Sequence, residues 1–459
     1  MHRNNGEMAK ARACYEKAVA LRSDSVVFLS NLGNLLKEIG DTDGAMAASQ
    51  KAWMLEPESP SGLVSAVRLA ILYFLKMDYN AAIDTLERSK DILNRSDEAF
   101  HAAKQYWSLL QQLVQNKVEQ GRAVSQGTAP LYVVGESHML SLQDLVLDRK
   151  GVTFHCQGSW IEGCKIWHLA NDTENPYKYQ FRRILNVIPK QSAILLTLGE
   201  IDCRLNEGML KAWKNSNGKT IKEIVATTVK GYINFIAPIV AERQQKLIIS
   251  GVSAPNISSS QSDHEGIGKL LTIISYTNEL LSSQSYANDF RFLDLFSVTN
   301  SGNGLANGAW HLDQHHLHPK AYAEAFKFFL KDRKQNLPGQ ELTDFDIDEL
   351  LAKAVEHHQN GLFQNAERLY RIILNELPDH TDANHNIGVL ARQHDKVDIA
   401  LPHFKLALEK NPNNAQYWLS YIDALFAAGH LEASRQVLEK ARQLGLKGNA
   451  VDILVRKLS

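Results

Sequence analysis

Leu131-Tyr132-Val133-Val134-Gly135-Glu136-Ser137-His138 is an apolar, strand-like run that breaks abruptly into a glycine, an acid, a serine and a histidine. The same break recurs where Ala193-Ile194-Leu195-Leu196-Thr197-Leu198 gives way to Gly199-Glu200-Ile201-Asp202-Cys203-Arg204. A third polar block, His311-Leu312-Asp313-Gln314-His315-His316, stands just before a helix expected from Pro319. A parallel α/β sheet gathers ligands at the carboxyl ends of its strands. Three polar blocks in those positions, far apart in sequence, are therefore expected to meet in space.

Working outward from them, short β-rich runs alternate with helical stretches from Pro130 to about Lys334. The expected strands are Leu131–Val134, Val152–Cys156, Ala193–Leu198, Lys246–Ser250 and Phe292–Leu295, with helical patterns at Thr220–Arg243 and Ile267–Ser282. Such alternation implies a parallel sheet covered by helices on both faces. Five strands in about two hundred residues suit a flavodoxin-like three-layer sandwich of order 2-1-3-4-5.

The flanks have a different rhythm, a repeat of about 34 residues, which is the tetratricopeptide (TPR) period. Ala366 and Ala400, Tyr370 and Phe404, Pro378 and Pro412, and Ala407 and Ala441 occupy equivalent places, and Trp418 opens the next unit. At the other end Gly33, Ala45, Ala52 and Pro57 follow the same pattern. Small residues let paired helices approach, the aromatic fills the gap to the next pair, and proline ends the second helix. Ala11, Tyr15 and Ala18 read as the second helix of a truncated unit, which leaves open whether a helix precedes Met1. A degenerate unit runs from Leu63 to Leu93, and a helix from Phe100 to Gln120 is expected to cap the stack. The expected organisation is TPR-like repeats at 1–120, a linker at 121–129, the α/β domain at 130–335 and C-terminal TPR repeats at 345–459. The fold class is thus an α/β three-layer sandwich between two all-α solenoid segments, whose concave surfaces suit protein partners.

Composition excludes several classes of function. Lys+Arg 50 balances Asp+Glu 51, so no basic field favours nucleic acid or an anionic membrane. No uninterrupted apolar run reaches the ~18 residues of a membrane span, and no signal-peptide core follows Met1. Cys14, Cys156, Cys164 and Cys203 have neither metal-ligand nor disulfide-framework spacing, which places the chain in a reducing cytoplasm.

The polar blocks, taken in order, resemble those of the SGNH/GDSL hydrolase superfamily. Gly135-Glu136-Ser137-His138 is similar to the nucleophile block, with Glu for the usual Asp; Gly163 is similar to the oxyanion glycine after the second strand. Gly199-Glu200-Ile201-Asp202 stands where the family has Gly-x-Asn-Asp, and Asp313-Gln314-His315-His316 matches the closing Asp-x-x-His. The resemblance implies Ser137 as nucleophile, His316 as general base and Asp313 as its orienting carboxylate, with the backbone N–H groups of Ser137 and Gly163 receiving the oxyanion. That division of labour is what the chemistry needs, because a serine hydroxyl attacks only when an imidazole removes its proton and a carboxylate stabilises the imidazolium. The departure is Ile201, which has no hydrogen to donate where the family has its third donor. Arg204 is the expected substitute, with Glu200 and Asp202 either orienting it or binding a hydroxylated substrate.

Plainer roles stand beside these. Ser137 can cap the following helix. Asp202 and Arg204 can be a structural ion pair. His138 suits a helix start or a substrate contact. His311, His315, His316 and His318 cluster as metal ligands do, although the Asp-x-x-His fit favours His316 as base, with His318 next in register. The motifs imply no cofactor. They lead to the expectation of a serine esterase or O-acyltransferase, acting through an acyl-enzyme on an oxygen ester of a glycan or other small acylated substrate. An O-acetyl carbohydrate is preferred because TPR flanks resemble those of glycan-modifying enzymes. The alternatives are a scaffold whose decayed site binds without turnover and, less favoured for want of an Asp-x-Asp motif, a glycosyltransferase.

Overall fold

The computed structural model describes residues 2–95, 101–120, 128–149, 152–216, 218–257, 263–327, 344–361 and 363–458. The linker expected at 121–129 and the junction after 327 fall largely outside these. The chain forms two compact units, Met1–Phe329 and Leu330–Ser459.

In the first unit six strands form one sheet: β1 (Ala129–Gly135), β2 (Val146–Arg149), β3 (Val152–Trp160), β4 (Ala193–Thr197), β5 (Lys246–Ser250) and β6 (Arg291–Leu293), in the order β2-β3-β1-β4-β5-β6. The expected five-stranded parallel sheet needs correcting, because β2 adds a sixth strand antiparallel to β3. The remaining neighbours pair in parallel, and their order reproduces 2-1-3-4-5. The extra strand arises because the segment after β1 forms only a short 3₁₀ helix, Ser137–Leu142, and then reverses at Asp144, whose φ is +56°. This chain uses a tight return there where a longer crossover helix would fit.

Alternation along the strands builds two cores, since successive side chains point to opposite faces. Val134, Ile194, Leu196, Leu247 and Ile249 pack under the helices Pro176–Val187, Ile221–Glu242 and His264–Ala287. Val133, Leu195 and Ile248 face the other way. Their cover is partly the helix Pro319–Lys327 and partly the repeat helices Pro60–Leu75, Tyr79–Arg95 and His101–Gln120, which contribute Phe74, Leu86, Leu109, Leu110 and Leu113 to the same core. The N-terminal repeats therefore supply part of a layer of the sandwich. Each fully buried Leu or Phe is worth roughly 1.5–3 kcal/mol, so stripping these helices would expose that face of the sheet. Polar ties reinforce the seam: Tyr79 Oη donates to Asp144 at 2.7 Å, Gln143 Nε2 to the Leu75 carbonyl at 2.9 Å and Lys117 Nζ to the Asp144 carbonyl at 2.7 Å.

Helix Ile221–Glu242 is long and apolar enough to cross a membrane by length and composition. Here Val229, Tyr232, Ile236 and Val240 bury one of its faces against the sheet.

The second unit consists of antiparallel helix pairs, from Asp344–Gln359 through Asn449–Leu458. The repeat positions behave as their residue types require. Ala366, Ala400, Ala407 and Ala441 are fully buried, and Phe404 fills the space beside Gly388, where any side chain would meet its ring. Trp418 Nε1 donates to the Pro412 carbonyl at 2.7 Å, tying one pair to the next.

Candidate active site

The register of the sheet brings the polar blocks to one edge. Gly135 pairs with both Trp160 and Thr197, so the chain leaves β1, β3 and β4 side by side at their carboxyl ends. Gly135 has to be glycine because a Cβ there would run into Thr197. The next residue, Glu136, caps the 3₁₀ helix by accepting from His138 N at 3.2 Å, so the cap role open to Ser137 belongs to Glu136.

Ser137, 3% exposed, is left at the head of that helix with its Oγ 2.8 Å from His316 Nε2. His316 Nδ1 lies 2.7 Å from Asp313 Oδ2. The backbone N–H groups of His315 and His316 both donate to Asp313 Oδ1 at 2.7 Å, and Asn256 Nδ2 holds the Asp313 carbonyl at 2.9 Å. A carboxylate only accepts, so Nδ1 carries the hydrogen in the neutral ring and Nε2 presents its lone pair to Ser137. Burial works against the Asp313 charge, but the His316 ring and these amides outweigh it and hold the carboxyl below its usual range. Ser141 Oγ donates to the Leu317 carbonyl at 2.7 Å, binding the histidine loop to the serine helix.

A second buried network lies behind Ser137. The one hydroxyl hydrogen of Ser137 can go to Glu136 Oε2, 2.6 Å from Oγ, or to His316 Nε2, and Glu136 Oε1 is 2.7 Å from His138 Nδ1. His138 Nε2 lies 3.0 Å from the His315 carbonyl. Burial opposes both charges, yet their mutual attraction prevails: Glu136 is held below its ordinary range and His138 is pushed up to about 9. His138 is thus a cation with both ring nitrogens occupied. Buried to 4% exposure, it ties the Ser137 helix to the histidine loop.

The Gly199 block behaves differently from its sequence reading. Gly199 turns the chain at φ +120°, and Ile201 is buried and apolar. Asp202, fully buried, accepts from the Ile166 and Trp167 amides at 2.8 and 3.2 Å and is raised by burial to about 7. It forms no ion pair with Arg204 and instead serves the first two amides of the helix Ile166–Ala170. Arg204 donates its Nε to Glu200 at 2.8 Å and its Nη1 to Glu207 at 3.2 Å. Its Nη2 also bonds Glu200, and the guanidinium still lines the neighbouring cavity. Glu200 in turn meets His315 Nδ1 at 2.9 Å and, although burial opposes its charge, is held well below the usual carboxylate range. Arg204→Ala would leave Glu200 with His315 alone; a loss of about 2 kcal/mol in urea unfolding is expected.

Gly163 takes φ +65° in the turn after β3, with open space where a side chain would project. The other histidines diverge: His318 accepts from Lys320 N at 3.0 Å, and His311 turns to the Ala254 backbone. Among the described residues no three His, Cys, Asp or Glu side chains converge as metal ligands. Cys203 is buried with its thiol pKa raised by burial, as an inert core cysteine. A cavity of about 360 Å³ opens beside His315, lined by Gln105, Glu200, Arg204, Asn256, His311 and Gln314 among others.

Two participants escaped the sequence reading because they lie on the repeat helix His101–Gln120. Gln105 lines that cavity, and the Tyr106 hydroxyl is close enough to interact with the Ser137 side chain. In sequence both look like ordinary positions of an amphipathic helix, and no local signal marks them.

Tetratricopeptide-repeat profiles match residues 1–25 and 385–445. No curated protein matches the chain. Among solved structures, an extracellular lipase from Streptomyces rimosus is similar over 44% of this chain and 97% of its own, at 11% identity and a TM-score of 0.29. A putative acylhydrolase from Bacteroides fragilis is similar over 49% and 94%, at 16% identity and a TM-score of 0.30. The TPR2AB domain of yeast Sti1 is similar over 94% and 98%, at 12% identity and a TM-score of 0.24. The chain carries tetratricopeptide repeats at residues 1–25 and 385–445, on either side of its α/β domain.

Proposed function

We propose that this protein is an SGNH-type serine ester hydrolase or O-acyltransferase. One observation carries the reading: the unbroken chain Ser137 Oγ–His316 Nε2–His316 Nδ1–Asp313 Oδ2, with links of 2.8 and 2.7 Å. Ser137 gives its proton to His316 as Oγ bonds to the ester carbonyl carbon. The carbonyl electron pair moves to oxygen. Collapse breaks the bond to the leaving alkoxide, which takes the proton back from His316. The acyl group then rests on Ser137 until water or a hydroxyl, activated by the same imidazole, removes it. Asp313 holds the tautomer throughout.

The neighbouring cavity supports a small polar substrate. About 360 Å³ lies at the low end for ligand pockets. Its hydrogen-bonding groups, among them Gln105, Glu200, Asn256, Gln314 and His315, suit the hydroxyls of an O-acetylated sugar, and Val252, Ile257, Leu270 and Ile274 add apolar wall. The decayed-scaffold alternative rests on Ile201 and on Glu136 in place of Asp, but it does not account for a serine and an imidazole held within hydrogen-bond reach. The C-terminal repeats fit a protein partner, and the cytoplasmic placement and the lack of a membrane span remain parts of the same proposal.

The test is incubation with a fluorophosphonate probe followed by intact mass, alongside p-nitrophenyl acetate hydrolysis. One adduct, mapped to Ser137 and matched by turnover, is expected. An unlabelled, inactive protein would move the assignment to a binding scaffold. Release of acetate from O-acetylated oligosaccharides, measured with and without an added sugar acceptor, separates hydrolysis from transfer.

A further inference from the structure

We infer that Tyr106, carried by the helix His101–Gln120, is a catalytic residue of this site: its phenol, beside Ser137 at rest, donates a hydrogen bond to the oxyanion once Ser137 has attacked. The inference rests on the serine reading above and adds a donor to it from outside the α/β domain.

The case begins with a shortage. A tetrahedral oxyanion needs donors aimed at it, and the side chains around Ser137 offer few. Glu136 only accepts. His316 is committed to moving the serine proton. Both nitrogens of His138 are engaged, by Glu136 and by the His315 carbonyl. Arg204 is turned towards Glu200 and Glu207. Ile201 has no hydrogen to give.

Tyr106 meets the need. Its ring packs edge-on against Trp160 with centroids 5.5 Å apart, and Trp160 is the register partner of Gly135 on the neighbouring strand. That brings the ring beside the carboxyl ends of β1 and β3. The hydroxyl is close enough to Ser137 to interact with it. Burial, and then the acids Glu162 and Glu136, push its pKa up, so it stays a protonated donor. Its helix neighbour Gln105 lines the cavity, so the same turn of helix faces both nucleophile and substrate space.

The repeats also hold this geometry. Lys37, on repeat helix Val26–Ile39, is buried; it pairs with Glu162 and lies 4.3 Å from the centroid of the Trp160 ring. The clamp grips the turn that carries Gly163 at the point where Tyr106 leans on it. In the reaction Tyr106 keeps its proton. Its O–H turns to the former carbonyl oxygen as the negative charge develops there.

Tyr106→Phe in the full chain removes the hydroxyl and keeps the ring on Trp160. The expected result is a fall of about 10²-fold in kcat for p-nitrophenyl acetate and in the rate of fluorophosphonate labelling, with KM nearly unchanged. Tyr79→Phe is the control, since it deletes another phenol at the same seam, one that bonds Asp144; it is expected to leave both rates at the wild-type value. Melting curves on both variants establish that they fold. A Tyr106→Phe enzyme as fast as the wild type would overturn the inference and leave the serine reading standing. Equal losses in the two variants would make the effect structural and overturn it too. Failure of wild type to label at Ser137 would remove the serine reading, and this inference with it.

Discussion

Ser137→Ala is expected to lower kcat by about 10⁵–10⁶-fold, with KM little changed, and His316→Ala by a similar factor. The size follows from the way the two groups act as one device. Without the imidazole, 2.8 Å away, the hydroxyl is not a nucleophile at neutral pH; without the hydroxyl, the imidazole has nothing to activate. The double variant should therefore be no slower than either single one, a non-additivity that distinguishes a triad from two independent contributors. Asp313→Asn should cost about 10⁴-fold, because an amide in place of the Oδ2 acceptor favours the wrong tautomer of His316. The measurements are single-turnover rates with an activated ester, with probe labelling as a second readout. A Ser137→Ala protein that keeps turnover within about tenfold of wild type would sink the nucleophile assignment.

The parts of this site that the sequence disclosed are those whose signal is local. An apolar run ending in Gly135-Glu136-Ser137 or in Gly199-Glu200 marks the carboxyl end of a buried strand, and those ends converge in any parallel sheet. Alternation along β1, β4 and β5 likewise located the parallel core. What stayed hidden depends on side-chain trajectories and on contacts across long stretches of chain. Arg204 and Asp202 stand two residues apart, yet one reaches Glu200 and the other turns back to the Ile166 amide. Strand β2 depends on a reversal at Asp144 that a polar loop does not announce. Tyr106 belongs to a helix whose pattern speaks only of repeats. That the N-terminal helices pack on the sheet was hidden for the same reason. Residues such as Leu109, Leu110 and Leu113 show that a helix face must be buried, but periodicity does not say whether a neighbouring repeat or a sheet will bury it.

Glu136→Ala is expected to destabilise the fold by about 3–5 kcal/mol near pH 6, since it leaves the buried His138 cation without its counter-ion. The side chains are 1% and 5% exposed, so solvent offers little compensation. The effect has a pH signature whose sign can be worked out. His138 titrates near 9 in the folded protein and near 6.5 when unfolded. The folded state therefore holds the proton more tightly, and the stability this contributes, about 3 kcal/mol, is complete below pH 6.5 and lost as pH rises through 9. Glu136 works in the opposite sense. Its folded pKa lies below the unfolded 4.5, so its contribution is present above that value and fades as pH falls through the lowered folded pKa. The difference between wild type and Glu136→Ala should thus be largest between about pH 4.5 and 6.5 and shrink to about 1–2 kcal/mol by pH 9. Urea unfolding of both proteins at pH 6 and pH 9 measures it. A difference that stays constant across that interval would mean that His138 is neutral in the fold and that Glu136 acts only as a hydrogen-bond acceptor for Ser137 and the helix it caps.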